Sequence, residues 1–439
     1  MKKFTTVVIL LTLVAAGLLL LFSLKSKPID SLLHAPVRDE ESAQIWQVFE
    51  KAAGRNYTLK TPTAGKHRSA LIHADLNGDK NDEILAFYSK DGASETVHLQ
   101  IFGTDNNGWV ALAGTESGFN EVKQVEFADI NGNGTLEIIV GWGLQSSKLM
   151  QQVSIYTVDI ENSEIKCIFS TKYSAFGVFD LNADEKSELV VIYGDRSVDS
   201  ALSVIKVFSS ISEEIKQISS LDVDPIILTI SQIEFDFLRR VGESRIYIDG
   251  FTADGQMTTD VLRFDNAKNR LSRVFIDGKT VSGISKRSTN AVCEDINSDG
   301  VIEVPVQKKL EQKELSSSVI EWDAVIENKL SKVTSYFDNR ENGYYFEIPE
   351  QIESSAIPVL LSDNETMRVY ILKGDEKGVL QNVPAFEVRI EYEETHGLLS
   401  AQFRLLGSYK GKKYYYRIFA AGNELGVTKK DVSSGIIYK

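Results

Sequence analysis

Four stretches of the chain carry oxygen-bearing side chains at alternate positions of a short acidic segment. Counting the first Asp as position 1, such side chains stand at positions 1, 3, 5 and 9, and position 7 can offer its backbone carbonyl. Alternate spacing in a tight turn directs these oxygens at one centre, and hard oxygen ligands suit Ca²⁺ far better than zinc or copper. The predicted ligand positions are Asp75, Asn77, Asp79, Asn81 and Glu83; Asp129, Asn131, Asn133, Thr135 and Glu137; Asp180, Asn182, Asp184, Lys186 and Glu188; and Asp295, Asn297, Asp299, Val301 and Glu303.

The same segments can also form turns without a metal, because an Asp side chain accepts hydrogen bonds from nearby backbone amides. Three carboxylates within nine residues repel one another without a counter-ion, which favours calcium in the first, third and fourth copies. The second copy has Asn133 where the others have Asp, and we expect it to bind more weakly. Calcium is expected to stiffen the fold rather than to perform chemistry.

An EF-hand begins with a similar segment, but it requires a Glu at position 12 between two helices. Position 12 is occupied here by Ala86, Val140, Val191 and Val306, and the flanking residues are typical of strands. The EF-hand is therefore excluded.

The acidic segments recur at a regular spacing. Their first Asp residues are 75, 129, 180 and 295, so steps of 54 and 51 are followed by one of 115, which is about two periods. The missing copy is predicted at Asp236, where Leu238 and Arg240 replace ligand residues. We expect five repeats and no metal at the degenerate copy.

Each repeat predicts a set of strands. A short apolar run enters the acidic segment and a β-branched run leaves it, as expected of strands buried on both faces. Two alternating segments follow, for example 95–102 and 108–113, which makes four strands in each period. Four strands in a period of this length are typical of a propeller blade. Pro305 lies inside the last exit strand and predicts a sheet edge or a bulge there.

These segments resemble the FG-GAP or VCBS repeats of integrin-type propellers and of exported bacterial repeat proteins. The resemblance covers about residues 65–337 and implies calcium ligands at the positions given above. Ala183 and Glu185 depart from it, because they stand where glycine would ease a left-handed turn. We expect a mainly β protein: a β-propeller of five or more four-stranded blades with a small C-terminal β-rich (α+β) domain.

An aromatic residue recurs thirteen positions after the first Asp in three repeats, as Tyr88, Trp142 and Tyr193. One interpretation is a stacking platform for sugar rings or peptide side chains along one rim. The other, favoured interpretation is that these aromatics fill the space between blades.

Residues 1–27 are predicted to be a signal anchor. Lys2 and Lys3 precede an apolar run from Phe4 to Phe22 that is long enough to span a bilayer, and no good cleavage site follows. An uncleaved, single-pass transmembrane helix is favoured over a cleaved signal, and either places the rest of the chain outside the membrane. Residues 28–64 are expected to be a linker with a short helix, Glu40 to Ala53, and a short strand at Tyr57.

The overall composition of the chain restricts the kinds of molecule that it can bind. The net charge of −14 argues against nucleic acid, whose binders need basic surface. Cys167 and Cys293 are too few for a disulfide framework and are interpreted as buried free thiols.

The repeat pattern ends near Asn342, and short aromatic-rich strands predict a separate domain over residues 343–439.

No catalytic motif emerges from the sequence. The five histidines form no metal-ligand pair, and no nucleophile elbow or complete phosphate loop occurs. The first hypothesis is a surface binding or adhesion module for a protein or glycan. A glycan-active hydrolase or lyase and an envelope assembly or sensor scaffold remain as alternatives.

Overall fold

The computed structural model describes residues 40–54, 56–90, 96–105, 108–194, 202–238, 242–374, 379–392 and 402–438. Over these residues the chain is mainly β, and consecutive antiparallel sheets follow one another as the blades of a propeller, which confirms the predicted fold class. The predicted anchor at residues 1–27 lies outside the described residues. No helix in the described ranges is long and apolar enough to cross a membrane.

Blade 1 follows an N-terminal helix, and its innermost strand is split. The first two strands both pair with the third, one with each half of it. Helix and strand bounds at the start of the chain match the prediction for residues 40–60. The elements are α1 Glu40–Ala53, β1 Tyr57–Lys60, β2 Leu71–Ala74, β3 Glu83–Lys90, β4 Val97–Asp105 and β5 Gly108–Glu116.

Blades 2, 3 and 4 are four-stranded antiparallel meanders in chain order. Blade 4 corresponds to the degenerate repeat, which confirms its predicted position. Blade 2 contains β6 Glu121–Ala128, β7 Glu137–Leu144, β8 Ser147–Asp159 and β9 Glu164–Lys172; blade 3 contains β10 Ala175–Phe179, β11 Glu188–Tyr193, β12 Val204–Ile211 and β13 Glu214–Asp222; blade 4 contains β14 Thr229–Leu238, β15 Glu243–Phe251, β16 Met257–Asp265 and β17 Arg270–Arg273.

A short connection leads from blade 4 to blade 5, whose sheet contains, in order, β20 (Glu303–Gln312), β21 (Leu315–Ile326), β22 (Lys329–Asn339), β23 (Tyr344–Glu347) and the last strand of the chain, β29 (Ile436–Tyr438). Pro305 lies in β20, the edge strand of this ladder, as its missing amide donor predicted. The elements are β18 Phe275–Ile276, β19 Lys279–Thr280, α2 Val281–Ile284, β20 Glu303–Gln312, β21 Leu315–Ile326, β22 Lys329–Asn339 and β23 Tyr344–Glu347.

The last hundred residues form a sixth sheet and also return to blade 5. Strands β23 and β29 pair with each other on the outer side of β22, so both ends of this segment extend the blade 5 sheet. The elements are β24 Ala356–Leu360, β25 Thr366–Gly374, β26 Leu380–Tyr392, β27 Arg404–Tyr409, β28 Lys412–Ile418, α3 Ala420–Glu424, α4 Lys429–Gly435 and β29 Ile436–Tyr438.

The apolar core lies between neighbouring sheets. In β7, Ile138 and Val140 face blade 1 while Ile139 faces blade 3, so the strand is buried on both sides. Helix α1 covers the remaining face of blade 1 with Ile45 and Phe49, which are 4% and 0% exposed. Each blade is thus stabilised by burial against both neighbours, which explains the continuous apolar runs in the sequence.

A buried ion pair joins blade 4 to the connection that follows it. The Arg287 guanidinium donates to Asp249 Oδ1 at 2.7 Å and to the carbonyl of Pro305 at 3.3 Å. Asp249 Oδ2 also accepts from the Cys293 amide at 2.7 Å. Because both charges are fully paired by protein groups, we assign this network a structural role.

Candidate functional site

The acidic loops of blades 1, 2, 3 and 5 (residues 75–83, 129–137, 180–188 and 295–303) share one conformation. In the blade 1 loop, Asp75 Oδ1 accepts from the amides of Gly78 at 2.8 Å and Asp79 at 3.1 Å, and Oδ2 accepts from that of Lys80 at 2.9 Å. Equivalent bonds bind the first Asp in each other loop. The side chain at position 5 accepts from the position 7 amide in all of them. The loops are therefore held closed by their own backbone amides.

The turns require a left-handed backbone at positions 4 and 6. Glycine supplies it at several of these points, but Ala183 and Glu185 adopt φ values of 59° and 71° in the blade 3 loop. The departure from the glycine pattern therefore leaves the turn intact, because the carboxylate of Asp180 accepts bonds from the amides of Asp184 and Glu185.

The Glu at position 9 ties the end of each loop to its beginning. Its Oε2 atom accepts from the amide at position 2, at 2.8 Å in both Glu137 and Glu188. Burial, reinforced by the neighbouring Asp carboxylates, raises the pKa of Glu188 and that of Glu303 to about 7. Burial also raises the pKa of Glu83 and Glu137. Each loop therefore holds a carboxylate that is difficult to ionise.

The side chains of the acidic loops are of the types that bind calcium, but they are not grouped around one point as in a metal site. Across the described ranges, no three His, Cys, Asp or Glu side chains are grouped closely enough to hold a metal ion. In three loops the Asn at position 3 donates its amide to the Asp at position 5, for example Asn297 to Asp299 at 2.8 Å. In the blade 5 loop, Glu303 Oε1 is buried and has no hydrogen-bond partner. The donors are thus all oxygen, and an uncompensated carboxylate atom lies among them.

Hydrogen bonds between blades place the loops side by side on one face. The amide at position 8 of the blade 2 loop, Leu136, donates to the Leu76 carbonyl at 2.9 Å, and Ser187 donates to the Asp129 carbonyl at 2.9 Å. The blade 2 and blade 3 loops are therefore each bonded to the loop of the preceding blade. This contact between distant repeats could not be read from the spacing alone.

The sequence of blade 4 lacks the acidic segment of the other repeats, and bonds from side chains take the place of these contacts. Ser244 Oγ donates to the Leu181 carbonyl of the blade 3 loop. On the other side, Ile302, at position 8 of the blade 5 loop, donates its amide to Asp236 Oδ2 at 3.0 Å. The Asp of the degenerate repeat is thus retained as a link between blades.

A cavity of about 700 Å³ opens at this point, between the loops of blades 3 and 5. Its apolar lining includes Phe179 and Phe235, whose rings stack with centroids 3.4 Å apart. Three aspartates also line it, namely Asp180, Asp236 and Asp299. The cavity was not predicted, because its walls come from three blades.

The recurring aromatics do not form an exposed platform. Tyr88 and Trp142 are 3% and 1% exposed, whereas Tyr193 is 46% exposed. Trp142 donates its indole N–H to Tyr156 Oη at 3.1 Å, and Tyr88 packs against Phe49 with centroids 5.4 Å apart. The stacking-platform interpretation is therefore wrong for two of the three residues, because alternating strand residues here point between the sheets.

The two cysteines differ in environment. Cys293 is buried, as predicted, but Cys167 is exposed in β9, the outer strand of blade 2. The prediction for Cys167 is wrong, because no residue of β9 is fully buried.

Comparison with known proteins finds no matching family model and no matching curated protein. Among solved structures, the chain is similar to the Dos1 propeller, with 9% identity and a TM-score of 0.34 over 76% of this chain and 65% of that one. It is also similar to rhamnogalacturonan lyase PL11 of Bacillus licheniformis, with 10% identity and a TM-score of 0.33 over 73% and 66% of the two chains. The chain thus spans just under two thirds of each structure. The resemblance to FG-GAP or VCBS repeats stays a prediction.

Proposed function

We propose that the chain is a membrane-anchored, extracytoplasmic binding module whose acidic loops bind Ca²⁺ and whose loop face contacts a protein or glycan partner. The observation that supports this most is the set of four acidic loops with one conformation, linked blade to blade on a single face. The anchor is inferred from the apolar run in residues 1–27.

Calcium would be held by the oxygen side chains at positions 1, 3, 5 and 9 of each loop. Its charge would offset the repulsion among these carboxylates and the burial of the position 9 Glu. The unpartnered Oε1 atom of Glu303 supports a site in blade 5. The blade 2 loop, with Asn133 in place of an Asp, would bind more weakly.

Chelation tests the calcium proposal. A ligand that binds only the folded state stabilises it, so the melting temperature of the purified full chain should rise with added Ca²⁺ and fall with a chelator. Asp79→Asn should reduce this rise, because it gives the blade 1 loop the composition of the blade 2 loop. Asp159→Asn, in the exposed β8–β9 turn, is the matched control and should leave the rise unchanged. An identical melting temperature with and without Ca²⁺ would contradict the proposal.

A glycan-active enzyme is the second candidate, because the cavity brings three aspartates together. Acid–base hydrolysis of glycosides requires two available carboxyl groups. Here, however, both oxygens of Asp180 and both of Asp299 accept bonds from their own loops, and Asp236 Oδ2 accepts from Ile302. Only one of the six oxygens is left, which favours binding over catalysis.

Turnover and capture distinguish the two candidates. The immobilised full chain should retain a partner from detergent-solubilised surface material in Ca²⁺ and release it with a chelator. Incubation with polysaccharides should yield no new reducing ends and no unsaturated products. Glycan cleavage that disappears in Asp236→Asn would instead support the enzyme.

A further inference from the structure

Ten residues leave the innermost strand of blade 1 and return to the same point. Lys60, the last residue of β1, lies opposite Phe87 of β3. Leu71, the first residue of β2, lies opposite the neighbouring Ala86. We infer that residues 61–70, here called the strap, are an autoinhibitory segment that covers the inner edge of blade 2 and gives way there to a basic, extended segment of a partner. This inference rests on the proposed role as a binding module and assigns a chemistry to the partner.

The innermost strand of blade 1 would be complete without the strap. Leu59 and Leu71 pack into the same cluster as helix α1. Ile72 and Ala74 pack on the other side, into the cluster between blades 1 and 2. Successive residues of a strand point to opposite faces, and this alternation continues unbroken when Lys60 is joined directly to Leu71. The blade 1 sheet therefore does not require the strap, which is an insertion within one strand.

The strap lies along β6, the first strand of blade 2 and an edge strand of its sheet. The amide of Thr63 donates to the Val122 carbonyl at 3.2 Å, and the amide of Ala64 donates to the Lys123 carbonyl at 2.7 Å. The strap thus bonds to the edge of β6 as an added strand bonds to the edge of a sheet. Proteins use the same mode to bind extended peptides of other chains.

Few contacts among the described residues hold the strap in place. Besides the two backbone bonds, the His67 ring packs edge to face on Phe127 with centroids 5.1 Å apart, and Pro62 is buried. Seven of the ten strap residues are exposed: Thr61, Thr63, Ala64, Gly65, Lys66, Arg68 and Ser69. A segment that buries little apolar surface opens at a much lower free energy than the whole fold. We therefore expect the strap to open while the blades stay folded.

The strap is basic, and the strands that it faces carry carboxylates. It contains Lys66 and Arg68 and no Asp or Glu. A Cβ atom at Gly65 would stand 3.5 Å from Glu126 Oε1, so the strap backbone passes close to this side chain of β6. Burial raises the pKa of Glu234 in β14, the Lys66 ammonium opposes this rise, and the Glu126 carboxylate adds to it. Charges of the strap, blade 2 and blade 4 therefore act on one another and favour a cationic segment in this place.

A partner segment would meet the same groups as the strap. Its amides would bond to the carbonyls of Val122 and Lys123, and its basic side chains would lie near Glu126 and Glu234. It has to displace a segment that is attached to the same chain, and a short attachment corresponds to an effective concentration of about millimolar. The strap should therefore weaken binding of such a segment, and its removal should increase the affinity.

A variant in which Lys60 is joined directly to Leu71 tests this expectation. Its ligand is a dye-labelled synthetic peptide with the sequence of residues 61–70, and fluorescence anisotropy measures binding. The shortened variant should bind the peptide about tenfold or more tightly than the full chain. The peptide that carries Lys66→Glu and Arg68→Glu is the control and should not bind. A folded shortened variant that binds the strap peptide no better than the full chain does would overturn the inference.

Carboxylate variants of the shortened chain test the charge preference. Glu126→Gln and Glu234→Gln should each weaken peptide binding about two- to fivefold, the range for loss of one partly exposed charge pair. Glu161→Gln, in the exposed β8–β9 turn, is the matched control and should leave binding unchanged. Equal effects of all three substitutions would show that the peptide is not held at the inner edge of blade 2.

Trypsin cleavage of the full chain gives a result even if the shortened variant does not fold. Trypsin cuts after Lys66 and Arg68, so cleavage at these two sites, followed by mass spectrometry, measures strap opening. Glu234→Gln should speed this cleavage about two- to fivefold, and Glu161→Gln should not. Cleavage in the strap that is no faster than global unfolding would overturn the inference. Neither measurement uses Ca²⁺ or a captured partner, so its outcome is separate from the tests of the proposed function.

Discussion

The buried carboxylates of this protein differ in which groups offset their negative charge. Asp249 has Arg287 at 2.7 Å, and the first Asp of each acidic loop has backbone amides. Asp323 in β21 is 3% exposed, and neither an ion pair nor a hydrogen bond to its side chain is seen among the described residues. Burial, with repulsion from Glu321, raises the pKa of Asp323 to about 6. Such a residue makes stability depend on pH.

We expect Asp323→Asn to stabilise the protein at high pH. The pKa of Asp323 is higher in the folded state than in the unfolded state, so its favourable contribution is present below about pH 4 and is lost as pH rises through about 6. The variant should equal the wild type at pH 4 and exceed its free energy of unfolding by about 1 to 3 kcal/mol at pH 8. Urea unfolding at the two pH values measures this difference.

Asp277→Asn is the control for this prediction, because Asp277 is exposed in the β18–β19 turn. It should change stability equally at both pH values. The difference in free energy of unfolding between Asp323→Asn and wild type should grow with pH. If it does not, a neighbouring group offsets the charge of Asp323 in solution.

At the scale of elements, close contact between blades depends on small residues in the strands. Gly141 lies in β7, where a Cβ atom would stand 2.6 Å from Tyr173 Oη and 2.7 Å from a ring carbon of Phe176. Gly143, two residues further, would meet the flexible end of Lys123 instead, at 2.8 Å. The same strand therefore contains one glycine that packing requires and one that it does not.

Gly141→Ala should destabilise the protein by about 1 to 3 kcal/mol, because Tyr173 and Phe176 pack edge to face and must move together to admit a methyl group. Gly143→Ala should change stability by no more than about 0.5 kcal/mol, because a lysine side chain can rotate away. Denaturant midpoints of the two variants provide the measurement. If both variants lose the same amount of stability, Tyr173 and Phe176 at the blade 2–blade 3 interface can move to admit a methyl group.

At the scale of the molecule, blade 5 and the sixth sheet share one apolar core. Phe346 of β23 is fully buried and packs on Phe386 of β26, with ring centroids 5.5 Å apart. Val319 and Phe337 of blade 5 belong to the same cluster. The propeller and the C-terminal segment are therefore coupled by burial as well as by the β22–β23 ladder.

A chain that ends at Asn342 should melt at a lower temperature than the full chain or aggregate, because removal of β23 and β29 uncovers the edge of β22 and the cluster around Phe337. Thermal melting followed by circular dichroism tests this. An unchanged melting temperature would instead support a separate domain over residues 343–439.

The repeat spacing and the hydrophobic pattern were sufficient to predict four strands in each period, the blade at the degenerate copy and the turn of each acidic loop. These features are local: an alternating pattern, a β-branched run and an Asp followed by amides within five residues act over one period of the chain. Helix α1 and the edge position of Pro305 were predictable for the same reason.

Features that depend on a neighbouring blade were not predictable from any one segment. Tyr88 and Tyr193 occupy the same position in their repeats, yet Tyr88 is buried against helix α1 whereas Tyr193 is 46% exposed. The unpaired oxygen of Asp236 and the cavity around it arise only when the blade 3 and blade 5 loops meet across blade 4. Such sites depend on which side chains burial brings together from distant segments, and the periodicity of the sequence carries no information about that.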